Sequence, residues 1–128
     1  MDPLRHERHY TLEQANAALE DVADLLDRLR TAQERLTDSE AREALSEAWA
    51  SNGGGEPGRV VSEGFLALRD GLAELRAREV VLRDLERGLI DFPAVLDGRE
   101  VYLCWEQGDD GIGFWHDLDA GHAGRQPL

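Results

Sequence analysis

The sequence contains no lysine: all 14 basic residues are arginine, set against 27 acidic ones, for a formal net charge of −13. That imbalance argues against nucleic acid and anionic membrane as partners, because both repel a strongly negative protein at long range. Cysteine occurs once, which excludes an intramolecular disulfide and fits a reducing cytoplasm. No apolar run approaches the length that spans a bilayer. The charged start, MDPLRHERHY, lacks the apolar stretch of a signal peptide, so a cytoplasmic protein is expected. No repeat of solenoid type is visible. What remains is a chain of 128 residues with an ordinary apolar fraction, enough for one domain with a modest core.

Residues 1–10 read as a polar arm. His6 and His9 stand at H-x-x-H spacing, which on a helix would let them share a metal; a solvated N-terminal segment is the expectation here. Thr11-x-x-Gln14 is a capping box with Tyr10 as its hydrophobic staple, and it opens a helical region over 11–50. Leu12, Ala15, Leu19, Val22, Leu26, Leu29, Gln33 and Leu36 alternate steps of three and four, the seam of coiled-coil-like packing. Thr37-x-x-Glu40 offers a second box and a short helix near 39–50, or a bend in the first. Ser51–Gly58, with three consecutive glycines and a proline, is a linker loop. With no strand before it and no lysine, it does not read as a phosphate cradle.

A second seam follows over 59–82: Val61, Phe65, Leu68, Leu72, Leu75, Glu79 and Leu82. Two seams of matching length imply an antiparallel helical hairpin. Glu79–Arg83 can either close this helix or open a first strand, since Val-Val favours a strand.

Residues 84–117 carry the β-hairpin signals, followed by a tail over 118–128. Asp97-Gly98 is a two-residue hairpin turn. It pairs Leu96 with Arg99, Ala94 with Val101, Pro93 with Tyr102, Phe92 with Leu103, Asp91 with Cys104 and Ile90 with Trp105. Pro93 lacks an N–H, so this strand should be an edge there or carry a bulge. A four-residue loop, 107–110, would pair Leu103 with Phe114 and Val101 with His116, keeping Ile112 and Phe114 on the apolar face. A five-residue loop would flip both away and make Cys104 and His116 diagonal neighbours. Register follows the buried face, so the four-residue loop is expected. The fold expected is therefore α+β, a long antiparallel helical hairpin packed on a three-stranded antiparallel meander.

In that register the far face of the sheet shows Asp91, Tyr102, Cys104, Glu106, Trp115 and Asp117, with Arg125 in the tail able to clamp a carboxylate. Cys104, His116 and His122, with Asp91 and Glu106 nearby, are ligand types for zinc or iron, and a haem with an axial His or Cys is a further option. Their spacing matches no zinc-finger pattern. A Cys104 nucleophile is disfavoured because the adjacent Asp91 would suppress its thiolate. Asp91 and Glu106 are candidates for an acid/base pair.

The segments DLERGLIDFP (Asp84–Pro93), GREV (Gly98–Val101), LCW (Leu103–Trp105), FWH (Phe114–His116) and AGRQPL (Ala123–Leu128), with YTLEQANAAL (Tyr10–Leu19) near the start, resemble the domain of unknown function 2203 family. The likeness covers essentially the whole chain and implies no established chemistry. His122 stands where that family usually has Phe, and Asp109 where it has Glu.

The function expected is a non-enzymatic protein-interaction or homodimeric accessory module, since Tyr and Trp on an uncovered sheet face favour a protein partner. The alternatives are a metal or haem protein built on Cys104, His116 and His122, and a small enzyme built on Asp91, Glu106 and Cys104.

Overall fold

A computed structural model describes residues 4–36 and 62–128. The chain is α+β: two helices, α1 (Leu12–Glu34) and α2 (Glu63–Ala77), with a five-stranded antiparallel sheet. The strands are β1 (Val81–Asp84), β2 (Leu89–Leu96), β3 (Arg99–Glu106), β4 (Phe114–Asp117) and β5 (Gln126–Pro127), in that order across the sheet. A 3₁₀ turn, His122–Gly124, lies between β4 and β5. Five strands replace the expected three because Val81–Asp84 and the tail each add one at an edge. The capping box at Thr37, the short helix near 39–50 and the glycine-rich loop 51–58 lie outside the described residues. No helix among the described residues is long and apolar enough to cross a membrane.

The capping box at Thr11 forms as read: the Gln14 amide donates to Thr11 Oγ1 and the Thr11 amide to Gln14 Oε1, each at 3.0 Å. The face that α1 buries is wider than a heptad seam. Ala15, Val22, Leu26 and Leu29 are joined by Leu25 and Ala32, while Leu12 is exposed. That is the broad stripe of a helix packed into a globular core. α2 lies antiparallel to α1, with Gly64 against Ala32 and Leu36 and Gly71 against Leu25 and Leu29. A Cβ at Gly71 would stand 2.4 Å from Leu29 Cδ2, so the close helix approach explains a residue that weakens the isolated helix by about 1 kcal/mol.

One apolar cluster joins both helices to the inner face of the sheet: Ile90, Phe92 and Ala94 from β2, and Val101, Leu103 and Trp105 from β3. The turn between β2 and β3 has φ of 51° at Asp97 and 78° at Gly98, the mirror-image hairpin turn that Asp-Gly favours. All six expected β2–β3 pairs form. Pro93 sits where β1 no longer reaches, since β1 pairs only with Leu89, Ile90 and Asp91. On that side the Pro93 carbonyl accepts from the Tyr10 amide at 2.7 Å, so the missing N–H falls on a locally unpaired edge.

The arm preceding α1 stays largely exposed at Leu4, Arg5, Glu7 and Arg8, yet its backbone is docked. The amides of Arg5 and His6 donate to the Glu100 carboxylate at 2.7 and 3.0 Å, and His9 Nε2 donates to it at 2.7 Å. The amides of Glu7 and Arg8 donate to Glu79 at 3.2 and 2.7 Å. His6 Nε2 meets the Tyr102 hydroxyl at 2.7 Å. His6 and His9 thus take separate partners and do not form the pair that H-x-x-H spacing suggested. Glu79 follows α2 with φ of 55°, and the bonds Glu79 N to Arg76 O and Val80 N to Leu75 O complete a Schellman ending, where glycine is the usual residue. A glutamate there costs about 1–2 kcal/mol of backbone strain. Its carboxylate clasping the arm accounts for its presence.

Burial alone would raise the Glu100 carboxyl, but the Arg5 amide, His9 and the His6 amide hold it below its ordinary value of 4.5. Its contribution to holding the arm is therefore full above that value and is lost as pH falls through the depressed one. Glu79→Gly is predicted to leave global stability within about 1 kcal/mol, because relief of left-handed strain offsets the lost clasp. Hydrogen-exchange protection of the Glu7 and Arg8 amides should fall with it. Unchanged protection would show that Glu79 does not hold the arm.

Candidate metal centre

The site rests on two strand registers. β2 sets Asp91 directly opposite Cys104. β4 sets His116 opposite Tyr102, with Leu103 against Trp115 and Cys104 against Phe114. This is one residue out of step with the expected pairing and matches the register of the five-residue loop, although pairing stops at Phe114 and residues 107–113 form a longer loop. A slip of one exchanges the faces of a strand. Trp115 and Asp117 leave the far face, while Phe114 and His116 join it. The reason lies in Ile112. It reaches the core from the loop, where its amide donates to Asn16 Oδ1 at 2.9 Å, and needs no strand alternation to be buried. The larger indole of Trp115 then packs against the core.

His116 becomes a diagonal neighbour of Cys104, and three ligand-type atoms converge. One atom each from Asp91, Cys104 and His116 lies within 4.8 Å of the other two. All three residues are at most 3 % exposed. His116 Nδ1 donates to the Asp117 carbonyl at 2.8 Å, and Nε2 faces Asp91 Oδ1 at 3.0 Å. Arg83 Nε donates to the other Asp91 oxygen at 2.8 Å, and its guanidinium lies over the Tyr102 ring. Cys104 Sγ is 3.5 Å from His122 Nδ1. Burial pushes the Tyr102 phenol up, which keeps its hydroxyl protonated beside His6.

The other sequence candidates disperse. Glu106 pairs with Arg87 at 2.5 Å, not with Asp91, so the two carboxylates serve separate arginines. Arg125 lies over the Phe114 ring at 4.2 Å, and the carboxylates it was expected to clamp are held by Arg83 and Arg87. Tyr102, expected to need another chain, is buried under His6 of the same chain. Sequence reading missed Arg83, whose signal was the strand-forming Val80-Val81 beside it. It also missed Glu79 and Glu100, whose bonds to backbone amides leave no periodic trace. A groove of about 580 Å³ along the helices is lined by Asp21, Asp24, Asp27, Arg28, Glu74 and Arg78, and Glu74 there pairs with both arginines.

A family model described as an uncharacterized conserved protein, DUF2203, matches residues 8–128. The chain belongs to this family. No curated protein and no solved structure matches it. Asp91, Cys104 and His116 all fall within the segments that carry the DUF2203 resemblance, and His122 stands outside them.

Burial first, and then the Asp91 carboxylate, push the Cys104 thiol up to about 12. Thiolate, the reactive form, is therefore scarce at neutral pH. The metal-free native protein is predicted to resist iodoacetamide at pH 8 and to react once unfolded in denaturant. Rapid stoichiometric labelling of the native state would contradict this environment for Cys104.

Proposed function

We propose that the protein binds a single divalent transition metal ion of the zinc or ferrous class through Asp91, Cys104 and His116. The observation that carries this reading is the convergence of a carboxylate, a thiol and an imidazole, each buried, within 4.8 Å. A purely structural polar network would account for Asp91, Arg83 and His116, because those three satisfy one another. The protonated Cys104 thiol, hydrogen-bonded to the same carboxylate, can join that network in the metal-free protein. What a divalent ion adds is a single centre that can bind carboxylate, sulfur and imidazole at once and draw the thiol proton off.

His116 supports the same reading. With Nδ1 donating to a backbone carbonyl, the orientation and tautomer of the ring are set and Nε2 is aimed at the other two ligands. Arg83 orients Asp91 in the same way. Mixed oxygen, sulfur and nitrogen donors suit zinc or ferrous iron better than magnesium or calcium, which prefer oxygen alone. The close spacing suits one ion better than the broad plane of a haem. Dianionic ligation by Asp91 and Cys104 balances the ion's charge, with the Arg83 guanidinium left on the outer side of Asp91. Binding must expel the Cys104 proton, and so releases acid.

Zinc added to metal-free protein is predicted to bind at one equivalent and raise the melting temperature. Cys104→Ser and His116→Ala, each checked for fold by circular dichroism, should weaken binding by at least about a hundredfold, beyond what losing a ligand's outer partner costs. Competition with a chromogenic chelator reads both values. A folded wild-type protein that takes up no stoichiometric zinc or ferrous iron would refute the proposal.

A further inference from the structure

We infer that His122 supplies a fourth ligand, so that the tail closes the centre into a tetrahedral Asp-Cys-His-His site. This rests on the metal reading above and extends it from three buried strand residues to a residue outside the sheet.

The distance is the first ground. Bonds of about 2.3 Å from zinc to sulfur and about 2.0–2.1 Å to nitrogen, at a tetrahedral angle, put the two donors about 3.5 Å apart. Cys104 Sγ and His122 Nδ1 stand 3.5 Å apart. That edge of the tetrahedron already has its length, while His122 lies outside the 4.8 Å convergence of the other three, so the tail has to move inward when the ion binds. The edge between His116 Nε2 and Asp91 Oδ1, at 3.0 Å, need open only by a few tenths of an ångström to reach the corresponding nitrogen–oxygen separation.

The way His122 is delivered is the second ground. Gly121 has φ of 70° and ψ of −178°, a region essentially open only to glycine, and it turns the chain back toward β3 just before His122. The 3₁₀ turn that follows is closed by the Gly124 amide on the Gly121 carbonyl and the Arg125 amide on the His122 carbonyl, both at 3.1 Å. Beyond it the tail is pinned twice. β5 pairs Pro127 with Phe114 and Gln126 with Trp115, and the Leu128 amide donates to the Gly113 carbonyl at 2.9 Å. A glycine-only turn and a docked tail thus hold one imidazole against the only thiol in the chain.

The consequence is a class of site. Three protein ligands and an open position are the form of a catalytic zinc, whereas four protein ligands are the form of a structural or sequestering one. Closure by His122 makes this the second kind.

Cobalt(II) tests this directly, because its visible bands are intense in tetrahedral sites and weak in five- or six-coordinate ones, while a near-ultraviolet band reports the thiolate bond. Wild-type protein titrated with cobalt(II) is predicted to show the thiolate band and intense tetrahedral bands. His122→Ala should keep the thiolate band, lose visible intensity and bind at least about tenfold more weakly, with added imidazole restoring the spectrum. In unaltered protein, ring nitrogen NMR should show His122 Nδ1 shifting when zinc binds. A thiolate band with unchanged visible spectrum and affinity in His122→Ala, or an unshifted His122 Nδ1 with zinc bound, would overturn the fourth ligand and leave the three-ligand site standing. No thiolate band in the wild type would overturn both.

Discussion

The pairing of β4 with β3, Leu103 opposite Trp115 and Tyr102 opposite His116, decides what both faces of the sheet carry. On the inner face it delivers an indole to the helical core. On the far face it delivers an imidazole to a thiol and a carboxylate that the β2–β3 hairpin has already set across from each other. Moving β4 by one residue would send His116 to the core and Trp115 to the far face, and Asp91, Cys104 and His116 would not converge. The same step of the pleat packs Trp115 on the core and brings Asp91, Cys104 and His116 together.

The far face then has to be covered, because six consecutive residues of β2 are buried. Coverage comes from the arm before α1 and from the tail after β4. At one end, Glu79 and Glu100 receive backbone amides of the arm, and His6 closes over Tyr102. At the other, the tail lays β5 along β4 and sets His122 over Cys104. Carboxylates accepting backbone N–H bonds make strong, directional contacts. This gives a highly acidic chain a use for two of its carboxylates that surface repulsion does not erode.

Much of this was legible in the residues, and where it failed the cause is specific. Asp97-Gly98 fixed the β2–β3 register in full, because a two-residue turn leaves no slack. The β3–β4 register was misread because Ile112 was counted as a strand residue, when an asparagine on α1 holds it in a loop. Periodicity cannot see a contact made 96 residues away. The docking of the arm leaves no sequence trace because its partners are side-chain carboxylates on other elements. β5 was missed because two residues carry no alternation. Asp91 and Cys104 were recognised as cross-strand neighbours, whereas the joining of His116 to them depended entirely on the register that was misjudged. Glu106 and Arg125 looked similar in sequence, but each has its own partner in the fold.

The central claim is that this convergence exists to hold a metal through sulfur. X-ray absorption at the zinc edge of the zinc-loaded protein tests it most directly. The predicted shell has one sulfur at about 2.3 Å and the remaining nitrogen and oxygen neighbours at about 2.0–2.2 Å. A shell of nitrogen and oxygen alone, with no sulfur, would mean that zinc sits elsewhere and that Asp91, Cys104 and His116 are a buried polar network and nothing more.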